Sequence, residues 1–167
     1  MTHPDPFRLR VLKALGTALE EITGENGYMF DLRGKVFRGR DTFGHSDPLP
    51  MLSILESITE KDVVLSPRGG STQMVPWELL IQGWTEDDDD NPTDPGHHLM
   101  AAVKKRLIQE RKCPRGTGSG ILGMCGKIDE IKFSTGVVRP ADEVSSKAYF
   151  WLKVELVLVE DLLQPYA

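Results

Sequence analysis

The chain has 167 residues, of which 40% are hydrophobic and 27% charged, with a formal net charge of −5. That length and balance suit one globular domain with a single core. The acidic balance argues against a dedicated DNA-binding domain, which would carry a basic stripe, but suits a surface past which a polyanion slides. No stretch approaches the ~18 consecutive apolar residues of a membrane helix. Residues 1–6 lack the basic, then apolar, pattern of a secretory signal, so synthesis in the cytoplasm is the expectation. The two cysteines, Cys113 and Cys125, lack the paired spacing of a zinc site and read as free thiols.

In chain order, residues 6–23 read as an amphipathic helix. Leu12, Leu15, Leu19 and Ile22 recur at steps of three and four, Asp5-Pro6 offers a start, and Gly24 offers a stop. Residues 36–40 suggest a short strand. Residues 51–57, opened by two prolines, read as a helical turn or two. Residues 73–85 form the first strong strand signal: Trp77, Leu79 and Ile81 on one face, Leu80 and Trp84 on the other. Apolar residues on both faces indicate a strand that is central or covered on both sides. An acidic loop follows over residues 86–95. Asp94 reads as N-cap and Pro95 as first residue of a second helix, whose stripe is Leu99, Val103 and Leu107. Lys104, Lys105, Arg106, Arg111 and Lys112 crowd its C-terminal half, where the macrodipole favours cations. A glycine-rich loop spans residues 114–126. Two further strands are expected over residues 127–138 and 149–159. In the last, Phe150, Leu152, Val154, Leu156 and Leu158 make an unbroken apolar face. The fold class is therefore α+β: one domain over residues 1–167 with a small mixed or antiparallel sheet of about four strands flanked by helices.

Few constellations suggest chemistry. Gly118-x-Gly120-x-x-Gly123 matches the dinucleotide fingerprint as a string, but it follows a helix and precedes a strand, the reverse of the context that fingerprint needs. The run Asp87 to Asp90 lacks the alternating ligands, turn glycine and distant glutamate of a calcium loop. His97 and His98 are adjacent, so on a helix they point about 100° apart. No catalytic group, cofactor or metal is selected. What stands out is Trp77, Trp84, Tyr149 and Trp151 on strands whose second faces mix aromatic and charged residues, as a subunit interface does.

The segment Trp77-Glu78-Leu79-Leu80-Ile81-Gln82-Gly83-Trp84, the acidic loop, Asn91-Pro92-Thr93-Asp94-Pro95 and the basic helix through Val103-Lys104-Lys105-Arg106-Leu107 resemble the tail terminator and related neck proteins of tailed bacteriophages. The start of the chain, through Val36-Phe37-Arg38-Gly39-Arg40, and its end, from Val137-Val138-Arg139-Pro140 into the last strand, look similar too. The resemblance implies a non-enzymatic virion protein: a hexameric ring at the head-proximal end of the tail tube that stops tube polymerisation and joins tail to head. Its implied partners are further copies of itself, tail tube protein and a head-closure protein, with DNA passing unbound through the pore. The alternatives are another neck component (head-closure or tail-completion protein) or a small nucleotide-binding enzyme using the glycine-rich loop. The candidate interface residues are Lys104, Lys105, Arg106 and Lys112 on the basic helix, Asp87 and Asp88 in the acidic loop, and Trp84 and Trp151 on the strands.

Overall fold

The structure is a computed structural model that describes residues 3–112 and 119–167. Among these residues a six-stranded mixed sheet carries two α-helices, so the α+β class expected from the sequence holds, with more strands than expected. The elements are α1 (Phe7–Glu20), β1 (Val36–Arg38), β2 (Met51–Glu56), β3 (Thr72–Trp84), α2 (Asp94–Arg111), β4 (Ile128–Phe133), β5 (Val137–Arg139) and β6 (Tyr149–Asp161). The sheet order is β1-β2-β3-β6-β4, and β5 also pairs with β6. Only β1 and β2 run parallel; the other pairs are antiparallel.

The long central pair β3 and β6 sets the core. Their register places Leu79 opposite Val154, Ile81 opposite Leu152 and Trp77 opposite Leu156. With period 2, these residues and Phe150 and Leu158 fall on one face. Both helices pack there: Val11, Leu15 and Leu19 of α1 and Leu99, Val103 and Leu107 of α2 are buried in the same cluster. The apolar periodicity of each helix thus selected the face it buries.

Three details depart from the sequence reading. Residues 51–56 form β2 rather than a helical turn, because Leu52 and Ile54 face the helices while Met51 faces away, a period of 2 in a run too short to show period 3.6. The strand expected over residues 127–138 is broken into β4 and β5. Gly136, with φ +74°, makes the break, and a Cβ there would lie 2.4 Å from the Met100 sulfur. The second helix begins one residue earlier than expected: Asp94 is its first residue, and Thr93 occupies the cap position without a side-chain cap bond. Among the described residues both helices pack on one face, whereas the sequence reading left open that β3 is covered on both.

Two residues inside β3 look ill-suited to a strand, and the packing accounts for both. Gly83 lies opposite Phe150, and a Cβ on it would stand 2.2 Å from the Phe150 ring and 2.9 Å from Leu52. The missing side chain makes room for the ring. Pro76 lies beyond the end of β2: the last ladder bond runs from the Ser57 N–H to the Glu78 carbonyl, and the chain then leaves the sheet. Backbone groups alternate in direction along a strand, so those of Pro76 face the departed β2, where no N–H is needed.

Candidate assembly surfaces

The second face of the sheet carries Met51, Ser53 and Leu55 of β2, the even-numbered residues of β3 and the odd-numbered residues of β6. One end of it is closed by residues 39–50. There Met51, Trp84 and Tyr149 form a small second cluster with Phe37, Phe43, Leu49 and Trp151. Trp84 is 2% exposed and stacks on Phe43 at 6.3 Å between ring centroids. In the single chain the interface candidate Trp84 is thus placed in this second core. Trp151 is half-buried beside Tyr149, at 5.7 Å between centroids. Toward the other end no helix or strand among the described residues lies over the face. Met74 and Pro76 are exposed there, and Leu55, Leu80, Val157 and Val159 are half-buried. An ion pair between Lys153 and Glu78 at 3.4 Å crosses it.

The basic helix divides into two kinds of cation. Arg106 faces inward. Its Nε donates to the Ala18 carbonyl at 2.9 Å, and its Nη2 contacts Glu21 and Glu110, each at 2.6 Å. Glu110 also accepts from the Leu122 N–H at 3.0 Å, tying α2 to the short 3-10 turn Ile121–Gly123. Burial works against the Arg106 charge, and the two glutamates more than offset it, so its pKa is raised. Within the single chain Arg106 thus acts as an internal clamp. Its place at four residues before Glu110 is the helical spacing that lets the two meet. Lys105 and Lys112 are exposed, Lys105 with its ammonium 4.5 Å from the centroid of the Tyr28 ring. Lys104 is half-buried and donates to the Thr135 carbonyl.

The acidic loop is more firmly attached than a freely solvated run. Asp87 accepts from the Ala148 N–H at 2.6 Å, and Glu86 pairs with Lys147 at 3.0 Å, raising the lysine pKa. Asp88 accepts from the N–H groups of Asp90 and Asn91, a local turn. Asp89 and Asp90 stay exposed. This loop leads into the N-terminus of α2, and the exposed lysines lie toward its other end. At 1.5 Å per residue the 18-residue helix separates the two ends by about 27 Å.

The glycine-rich loop falls partly on residues 113–118, outside the described residues. From Ser119 on, Ile121 and Leu122 are buried against the main core, which gives this end of the loop a packing role. Among the described residues no group of three or more His, Cys, Asp or Glu is placed to hold a metal ion, and no helix is long and apolar enough to cross a membrane. A cleft of about 270 Å³ is lined by Arg8, Glu56, Ser57, Lys61 and Trp77 among others, and includes no histidine or cysteine.

No family model and no curated protein matches the chain. Among solved structures, the sheath/tube terminator of an extracellular contractile injection system in its extended state is similar, with a TM-score of 0.41 and 14% identity. The match covers 95% of this chain, which spans 58% of the length of that one.

The strongest surface feature that sequence reasoning missed lies in residues 57–71, between β2 and β3. Ile58, Val63, Val64 and Leu65 are all exposed there. The signal was the apolar run Val63-Val64-Leu65 between charged and turn residues, too short to show a period.

Proposed function

We propose that this chain is a non-enzymatic structural subunit of a phage tail: a terminator that closes into a ring of six at the head-proximal end of the tail tube, stops tube growth and joins tail to head. The observation that carries this reading is the polarity of the surface: exposed aspartates lead into the start of α2, and the exposed lysines Lys105 and Lys112 lie about 17 and 27 Å along it. Unlike ends on one subunit suit heterologous, head-to-tail contacts, and such contacts close into rings when the rotation permits. Opposite charges steer that encounter and fix its register more than they add affinity. The half-open sheet face adds apolar surface of the kind found at interface centres. The net negative charge suits a pore through which DNA slides.

The test is oligomeric mass by native mass spectrometry, for the chain alone and with tail tube protein. A hexamer in either condition is expected, and a monomer in both refutes the reading. Charge reversal then examines the polarity. Asp89 is the better acidic position, since Asp88 holds its own loop together. Lys105→Glu and Asp89→Lys should each weaken assembly, and the double variant should recover part of it. A hexamer indifferent to all three changes removes these charges from the interface and leaves the ring in place.

A further inference from the structure

We infer that residues 119–126 form a strained catch, pinned by the Glu110 carboxylate, that opens on its own while the sheet and both α-helices stay folded. The inference does not depend on the ring reading, and its test needs no assembly.

The strain is concentrated here. Among the described residues three other than glycine have a positive φ, and two of them, Leu122 (φ 52°) and Cys125 (φ 51°), lie in this segment. A side chain makes that conformation costly, because its Cβ crowds the following carbonyl. Gly120, Gly123 and Gly126 have positive φ as well, so the chain turns back on itself within a few residues. The loop closes where the Cys125 N–H donates to the Ser119 carbonyl at 2.9 Å. A Cβ on Gly120 would lie 2.8 Å from the Gly126 nitrogen, so glycine there lets backbone meet backbone.

Such strain persists only where the surroundings impose it. Ile121 and Leu122 are buried in the main core, with Met124 packed beside them. The Leu122 N–H donates to Glu110 Oε2 at 3.0 Å, while Arg106 holds the other oxygen, Oε1, at 2.6 Å. The carboxylate therefore ties the strained residue itself to α2. Burial and this bond act against the strain at Leu122 and Cys125. Opening is local for three reasons. The segment lies in none of the six strands and neither α-helix. A groove of about 310 Å³, lined by Ala14, Thr17, Ser119 and Gly123 among others, already lies between it and α1. Opening also orphans no buried charge, because Glu110 keeps Arg106. These features put the segment at the low-stability end of the fold, from which moving parts are drawn. Closed, the catch hides Ile121 and Leu122; open, it presents both on a glycine-rich chain.

Residue-resolved hydrogen exchange on the whole chain, in the regime where its rate reports the opening equilibrium, tests this. The amides of Leu122, Met124 and Cys125 are all hydrogen-bonded. They should open about 100-fold or more above those of Leu152 and Val154 at the centre of β6. Cys125→Ala and Cys125→Gly then isolate the strain, since both remove the thiol and only glycine relieves the positive φ. Glycine should lower the opening constant about 2- to 10-fold relative to alanine, its extra freedom when open offsetting part of the relief. Glu110→Gln should raise it about tenfold, because a single amide oxygen cannot serve both Arg106 and the Leu122 N–H. Segment amides that open only together with β6 overturn the catch, as do alanine and glycine variants that open alike. A Glu110→Gln chain whose segment opens no more than wild type overturns Glu110 as the pin.

Discussion

Arg106→Met isolates the internal clamp. The methionine fills similar volume on the helix, so packing changes little, but the cation between Glu21 and Glu110 is gone. The Ala18 carbonyl also loses its 2.9 Å donor. Removing one partner of a buried ion pair costs about 3–5 kcal/mol. Glu110 is 8% exposed and falls in that class, whereas Glu21 sits at the surface and contributes less. For a domain of this size the loss corresponds to a fall in Tm of about 6–20 °C. Adding Glu110→Gln should recover part of it: the amide is uncharged, yet its oxygen still accepts from the Leu122 N–H. Urea unfolding with an unchanged slope gives both values, and Lys105→Met serves as the exposed control, expected within about 0.5 kcal/mol. If Arg106→Met and Lys105→Met unfold alike, or the double variant is less stable than Arg106→Met alone, the clamp is not holding the helices. The outcome also separates the two roles available to this arginine, since a purely interfacial Arg106 would change assembly and leave the monomer as stable as before.

Leu156→Ala should lower stability by about 2–5 kcal/mol in the same urea assay, since Leu156 is fully buried at the centre of β6. Gly83→Ala should lower it by about 1–3 kcal/mol or more, through the clash with Phe150, and Phe150→Leu in the same chain should relieve part of the loss. Asp142 accepts from the N–H groups of Val144 and Ser145 and from the Tyr149 hydroxyl, and these bonds hold its pKa below the ordinary carboxylate value. A folded pKa below the unfolded one means that the unfolded chain binds the extra proton. The stabilisation is therefore present above the unfolded value, near pH 4, and is lost as pH falls toward the folded one. The gap in denaturant midpoint between wild type and Asp142→Asn should narrow as pH is lowered below about 5, and a constant gap would show that Asp142 adds no pH dependence.

How much of this was legible in the sequence depended on segment length. The helices around Leu15 and Val103 and the strand through Leu152 and Leu156 run for 13 to 18 residues, long enough for a period to stand out. The six residues of β2 and the three each of β1 and β5 are not, and pairing with longer neighbours decides their conformation. Arg106 illustrates a second limit. It stands among Lys104, Lys105 and Arg111 in a run of like charge, and composition cannot say which member turns inward. Only the position of Glu110 one turn later hinted at it, and its partners Ala18 and Glu21 are remote in sequence. Trp84 was ambiguous for a similar reason: its cover comes from Phe43, in a loop without periodicity.

The sheet divides labour between its faces, and that division constrains how the chain can change. The helix-covered face holds the large buried residues of β3 and β6, so substitutions there act on stability whether or not the protein assembles. On the open face, Leu80, Val157 and Met74 are partly or largely solvent-exposed in the single copy, so they contribute little to folding until a second surface covers them. Their substitution should therefore leave the isolated chain close to wild-type stability and reduce only the stability that assembly adds. Assembly shifts apparent stability by mass action, so the two classes separate by concentration. Leu156→Ala should lower Tm by a similar amount at every concentration. Leu80→Asp should lower it increasingly as wild type is concentrated, because only wild type gains from association. Equal Tm shifts for Leu80→Asp at the dilute and concentrated ends would mean that the open face belongs to the fold alone.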